Sequence, residues 1–189
     1  MGKPKITDKR WSIDLEKRIQ EEHYGESYSS RYSFNPNAEK EIFVIDTPPP
    51  YPSGTWHIGA VAQYSMIDVI ARSQRLLGKE VYFPWGVDRN GINIEFTVEK
   101  KTGKKMRTFE RGEFIDLCKE TIEEYTQAMR ETACRVGLSC SFESEYLTDS
   151  PEYRGVTQSI FVDLFKQGNI IEDLRPNIYD PVEGTTIAD

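Results

Sequence analysis

The sequence is poor in the residues on which metal-built, redox and secreted proteins depend. Its 189 residues hold three cysteines and two histidines. Cys118, Cys134 and Cys140 are odd in number, and five residues separate the last two, against the roughly two to four of a zinc knuckle. A disulfide framework and a cysteine-only metal site are therefore disfavoured, and the thiols read as small buried hydrophobes. Long apolar runs are missing as well: none comes near the roughly 18 residues of a membrane span. The amino terminus, MGKPKITDKRW, has no apolar segment of the secretory kind, and Ile6 stands where a myristoylation signal needs Ser or Thr. No membrane partner is expected, and the expected compartment is the cytoplasm. Positive charge is also short, with 24 Lys and Arg against 31 Asp and Glu and a formal net charge of −7. That balance argues against broad, non-specific binding of nucleic acid. One run opposes it: Lys100, Lys101, Lys104, Lys105 and Arg107 read either as a solvated helix end or as a local contact with an RNA backbone.

What is present is an ordinary globular balance, 38% hydrophobic and 29% charged, at the length of one domain. Residues 12–23 have helical character, and 25–40, rich in Ser, Tyr, Asn and Pro, read as an irregular connection. EIFVIDT (41–47) is a short apolar run that predicts a buried strand. The three prolines after it can neither donate ladder hydrogen bonds nor open a helix cheaply, so an extended turn must follow. Apolar positions at helical spacing then run from His57 to Leu77, with Gly78 closing the element. EVYFPWG (80–86) predicts a second strand, and the strand–helix–strand unit has the size of a parallel crossover. A short helix is expected from Asn90 to about Lys101, a long amphipathic one over 110–136, and another opening at Pro151. The tail, 170–189, is strand-and-turn in character.

The segment with chemical content is PPPYPSGTWHIGA, residues 48–60. A strand ends, a stiff loop follows, and a helix opens with an imidazole and a glycine. Free N–H groups and the positive end of the helix dipole would face the carboxyl ends of the strands, where phosphate binds readily. His57 adds a donor that can follow charge as it develops on a phosphate. Gly59, lacking a side chain, lets a flat base approach the backbone. A lone histidine at a helix start is usually a satisfied surface residue, and a lone glycine says little. Buried strand, proline-rich loop and His-x-Gly spacing together point to a nucleotide site.

The same segment resembles the His-Ile-Gly-His signature of class I aminoacyl-tRNA synthetases, and FVIDTPPPYPSG is similar to the valyl branch of that family, its archaeal members above all. PWGVDRNGIN (84–93) resembles the family's Gly-Trp-Asp-x-His-Gly block, with Asp88 at its aspartate. NIYDPVEGTTIAD (177–189) resembles the stretch where the family's chain enters its editing insertion. The resemblance covers most of 41–189 and, more loosely, 9–40. It implies an α/β fold, the first half of a Rossmann-like doubly wound parallel sheet, incomplete in this sequence. The implied divisions are a helical extension over 1–40, that half-domain over 41–173 and the start of the editing insertion over 174–189. The implied reaction is activation of valine by ATP, with magnesium, to an adenylate, followed by transfer to tRNA. On the matching positions, His57 would be catalytic, and Pro52, Ser53, Gly54, Thr55, His57, Gly59 and Ala60 would form the ATP site. Pro49, Pro50 and Asp88 would line the amino-acid site, Asp88 facing the substrate's ammonium group. That pairing is chemically sound, because a carboxylate withdrawn from water needs a charged partner. The other reading of Asp88 is a loop carboxylate capping the next helix.

Three departures stand beside the resemblance. Ala60 replaces the second histidine of the signature, and Arg89 and Asn90 replace the usual residues after the aspartate. Asp180 and Glu183 stand where many relatives carry a cysteine pair, so no zinc and no other metal site is expected in this segment. The family's Lys-Met-Ser-Lys-Ser loop belongs to the second half of the fold, and Lys105-Met106 here continues into Arg and Thr. The chain by itself is therefore expected to be inactive and to need its missing carboxy-terminal part, with valine, ATP and tRNA as partners of the whole. Three alternatives stay open: an isoleucyl- or leucyl-type enzyme, a different adenylyl-transferring α/β enzyme, and a non-catalytic remnant that binds a nucleotide or a partner. The Trp-Gly-Val-Asp block speaks against the second, and Ala60 favours the third.

Overall fold

The computed structural model describes residues 10–24, 28, 30–54, 56–182 and 184–186. Two compact units divide the chain, Met1–Ser150 and Pro151–Asp189. In the first, helix α1 (Ile13–His23) opens on Ser12, whose hydroxyl accepts the Leu15 N–H at 3.1 Å. The tyrosine-rich connection that follows is anchored rather than loose. Tyr28 is buried, meets Tyr24 and Tyr32 edge-on, and donates its hydroxyl to the Leu138 carbonyl at 2.9 Å.

Strand β1 (Ile42–Val44), helix α2 (Ile58–Leu76) and strand β2 (Glu80–Tyr82) form the expected crossover, and β1 pairs with β2 in parallel. The apolar run EVYFPWG does not stay one strand. It breaks at Phe83, and β3 (Pro84–Val87) leaves β1 to pair in parallel with β4 (Ser141–Leu147). Pro84 has no N–H for a ladder, so the chain changes partner there, and the Phe83 carbonyl takes the Ser141 N–H at 2.7 Å. One prediction needs correction: β1 is not a buried strand. Ile42 and Val44 are exposed, because β2 is its one described neighbour, and Ile45 just beyond it supplies the buried side chain.

Helix α3 (Asn93–Thr102), a 3₁₀ turn (Met106–Thr108) and the long helix α4 (Arg111–Val136) complete the unit. Val81, Phe83, Trp85 and Val87 carry the main core, with Tyr64 and Ala71 from α2, Met129 and Ala133 from α4, Cys140 just before β4 and Phe142 within it. A second cluster joins Ile94 and Val98 of α3 to Phe114 and Ile122 of α4. Polar bonds fasten α2 at its middle. Buried Asp68 accepts the Ser139 N–H at 2.8 Å, the Ser139 hydroxyl, and the Arg72 guanidinium at 2.7 Å. Arg75 donates to the Ser139 carbonyl at 2.9 Å. Burial pushes the Cys140 thiol up, and also those of Cys118 and Cys134; Cys140 is the small buried hydrophobe expected, whereas Cys118 and Cys134 are half-buried.

The second unit contains helix α5 (Pro151–Lys166) and a small antiparallel pair, β5 (Tyr179–Asp180) with β6 (Thr185–Thr186). Asp180 shapes the turn by accepting the Val182 and Gly184 N–H groups, each at 2.8 Å. Glu183, at the other position discussed for a zinc pair, lies outside the described residues. No helix among the described residues is long and apolar enough to cross a membrane.

Candidate active site

The proline loop between β1 and α2 is stiff in covalent terms and is also tied down by three hydrogen bonds. Tyr64, one turn and a half into α2, donates its hydroxyl back to the Pro48 carbonyl at 2.8 Å. Burial pushes that phenol up to about 12, so the hydroxyl remains a donor across the usable pH range. The Pro50 carbonyl accepts the Asp88 N–H at 2.9 Å, which joins the loop to the carboxyl end of β3. Tyr51 donates to the Gly91 carbonyl at 3.2 Å, and its ring lies so close that a Cβ on Gly91 would meet it at 2.9 Å. Pro52 is fully buried, and Gly54 turns the chain with φ 105°. Thr55 lies outside the described residues. Trp56 packs against Tyr64 and edge-on against Trp85, fixing the approach to the helix.

His57 is the N-cap of α2, not a residue of its first turn. Its Nδ1 accepts the Gly59 N–H at 3.0 Å, and its carbonyl accepts the Ala60 N–H at 2.9 Å. An accepting Nδ1 leaves the ring proton on Nε2, so the neutral imidazole presents one N–H donor outward. The cap also changes the expected anion site. Gly59 does not offer a free N–H here, and the space above it is taken by the His57 ring, which an added Cβ would approach to 3.0 Å. His57, Ile58 and Gly59 are all exposed, and Pro49 and Pro50 are half-buried.

Asp88 follows β3 at the same end of the parallel strands. Its Oδ1 accepts the Asn90 N–H at 3.1 Å and the Thr148 hydroxyl at 3.0 Å. Arg89, one of the two departures that follow the aspartate, turns its guanidinium to Glu123 at 2.7 Å and Asp149 at 3.1 Å. The structure thus brings Pro50, Tyr51, Asp88 and Gly91 together and sets His57 at the end of the same loop. Sequence reasoning missed Thr148, because β4 was not read as a strand. The alternation of Phe142, Ser144 and Tyr146 with Glu143 and Glu145 was the available signal. Elsewhere, Lys101 pairs with Glu124 at 2.8 Å and Lys105 with Glu99 at 3.3 Å, which accords with the solvated helix-end reading of the basic run. No group of three or more His, Cys, Asp or Glu among the described residues is arranged to hold a metal.

The valine–tRNA ligase of Thermoplasma acidophilum is 44% identical over 157 residues, covering 83% of this chain and 20% of that protein. That of Archaeoglobus fulgidus is 46% identical over 157 residues, with 83% and 18% covered, and that of Rickettsia rickettsii 42% over 158, with 83% and 20%. The chain thus spans about a fifth of the length of these relatives. Among solved structures, a ternary complex of Agrobacterium radiobacter K84 agnB2 LeuRS, tRNA and LeuAMS superposes with a TM-score of 0.66 at 28% identity, covering 92% of this chain and 20% of that one. The family described as tRNA synthetases class I (I, L, M and V) matches residues 20–189, and the chain belongs to it.

Proposed function

We propose that this chain supplies the ATP and amino-acid half of a valine–tRNA ligase, which joins valine to the AMP part of ATP as an adenylate with release of pyrophosphate, and passes the valyl group to tRNA with release of AMP. The observation that carries the reading is that one tethered loop holds two groups, one at its end and one bonded to its side. His57 caps α2 through Nδ1 and keeps its Nε2 proton for a phosphate, while Asp88, bonded through its N–H to Pro50, offers a carboxylate to an ammonium group. In this reading Pro52, Ser53, Gly54, Thr55, Gly59 and Ala60 complete the nucleotide side, and Pro49 and Pro50 wall the amino-acid side. Residues 1–40 are the helical extension, 41–173 the first half of the catalytic domain and 174–189 the start of the editing insertion. With no carboxylate cluster among the described residues, magnesium would be held by the phosphates of the nucleotide it accompanies. The choice of valine rests on the ligase relatives. A leucyl- or isoleucyl-type enzyme is the second reading, favoured by the solved neighbour.

The test is ATP–pyrophosphate exchange with each amino acid singly, in the natural polypeptide that carries this chain. Valine-dependent exchange is expected. Exchange with leucine or isoleucine in its place selects the second reading, and none with any amino acid overturns both. His57→Asn separates the two roles of the histidine, because Asn caps helices well but carries no imidazole. We expect stability within about 1 kcal/mol of wild type, with exchange slowed on the order of 10²-fold. Unchanged exchange would make His57 a cap and nothing more.

A further inference from the structure

We propose that Thr148 is a positioning residue for the amino-acid site, holding Asp88 so that one carboxylate oxygen stays available to the substrate's ammonium group. The inference rests on the reading of Asp88 given above. Thr148 directly follows β4 and is buried, 6% exposed. Its hydroxyl has one proton and two lone pairs, and the structure uses all three. The proton goes to Asp88 Oδ1 at 3.0 Å, and the lone pairs accept the Arg89 N–H at 2.8 Å and the Asn90 Nδ2 at 3.0 Å. The main chain of Thr148 is bonded on both sides as well. Its N–H donates to the Val87 carbonyl at 3.1 Å, and its carbonyl accepts the Asn90 Nδ2 at 3.1 Å. The side chain therefore has no freedom to turn away, and residues 88–90 are fixed around a single oxygen.

The consequence for Asp88 is directional. Both described bonds to its carboxylate, from the Asn90 N–H and from Thr148, fall on Oδ1. No described residue bonds to Oδ2, and a carboxylate oxygen with no donor is where an ammonium group gains most. The adjacent cation is also kept out of the way. The Arg89 side chain, 9% exposed, lies between Glu123 and Asp149, so its charge is met by two carboxylates and does not compete with the substrate for Asp88. Asn90 turns its side-chain amide into Thr148, so that amide does not compete for Asp88 Oδ2.

The experiment measures binding by calorimetry in the natural polypeptide that carries this chain, with valine and with 3-methylbutanoate, the same molecule without its amine. Thr148→Val replaces the hydroxyl by a methyl of equal size, and Thr148→Ser restores the hydroxyl. We expect Thr148→Val to weaken valine on the order of tenfold, the scale for a partner that orients a charged ligand. It should leave 3-methylbutanoate and ATP within about twofold, and Thr148→Ser should bind valine as wild type does. Equal losses for valine and its amine-free analogue, or none for either, overturn the proposal. Should Thr148→Val fail to fold, the serine variant decides: loss of valine binding there with the hydroxyl retained also overturns it. A wild-type protein that binds no amino acid overturns the functional reading along with this one, whereas valine binding unaffected by Thr148→Val overturns this one alone.

Discussion

Glu145 lies on β4 among charges of both signs, and its titration exposes the balance of forces there. Its carboxyl is pushed above the ordinary glutamate range, first by burial and then by Glu123, against the opposing pull of Arg130 and Arg89. Arg130 approaches it only to 3.9 Å, too far for a strong hydrogen-bonded pair. A folded-state value above the unfolded one means that the folded chain binds the proton more tightly. The stability gained from that proton is complete below the unfolded value and is lost as pH rises through the folded one. Glu145→Gln has no such titration. Urea denaturation from pH 4 to pH 7 should therefore find the glutamine variant gaining on wild type as pH rises. A glutamine variant that loses ground towards pH 7 would mean that the Arg130 contact outweighs burial.

Among the elements, helix ends were legible in the sequence because their signals are local. Ser12, Gly78, Gly103 and Gly137 each mark a terminus within a residue or two. The crossover from β1 to β2 and the loop with His57 at its end were legible for the same reason, since prolines and glycines fix the backbone wherever they stand. What was not legible depends on partners distant in sequence. The break at Phe83 exists because β3 leaves β1 for β4, and β4 begins 58 residues after Phe83, at Ser141. With β4 unread, Thr148 had no place beside Asp88. The Asp68–Ser139 bond was hidden likewise, its partners 71 residues apart. The helix ends also differ in ways only the structure reveals. Gly103 (φ 68°) has open space where a Cβ would go, whereas at Gly137 (φ 79°) a Cβ would meet the Tyr24 ring at 3.0 Å. Alanine in the left-handed region costs about 1 kcal/mol for the backbone alone. Gly103→Ala should lose about that much, and Gly137→Ala about twice as much because the ring must also shift. In a Tyr24→Leu background the excess at Gly137 should shrink, a coupling that chemical denaturation of the four variants measures directly. Equal losses at the two glycines would show that Tyr24 yields without cost.

At the scale of the molecule, α2 departs from the usual pattern of an amphipathic helix. Its buried residues include a charged one, Asp68, while Ile58, Met66, Val69, Ile70 and Leu76 are between 51% and 88% exposed. Asp68 faces inward beside Tyr64 and Ala71 because it bonds Ser139 and Arg72, and its charge is satisfied there. The outward side has no such reason to be apolar unless something covers it. Met66, Val69 and Ile70 fall on adjacent turns, so a second copy of the chain can lay the same stripe against it. Burying a large apolar side chain is worth roughly 1.5–3 kcal/mol. Association itself costs on the order of 4–15 kcal/mol. A handful of such side chains from each partner gives a contact that is real but weak. The 189-residue chain produced alone should therefore be monomeric when dilute and self-associate at tens of micromolar. Light scattering after size exclusion, across that concentration range, follows the transition. Met66→Lys and Val69→Glu together place charges on the stripe without touching Asp68, Tyr64 or Ala71, and should hold the chain monomeric with its melting temperature unchanged. Association that persists in that double variant would move the sticky surface elsewhere, with the exposed β1 residues Ile42 and Val44 next to be tested.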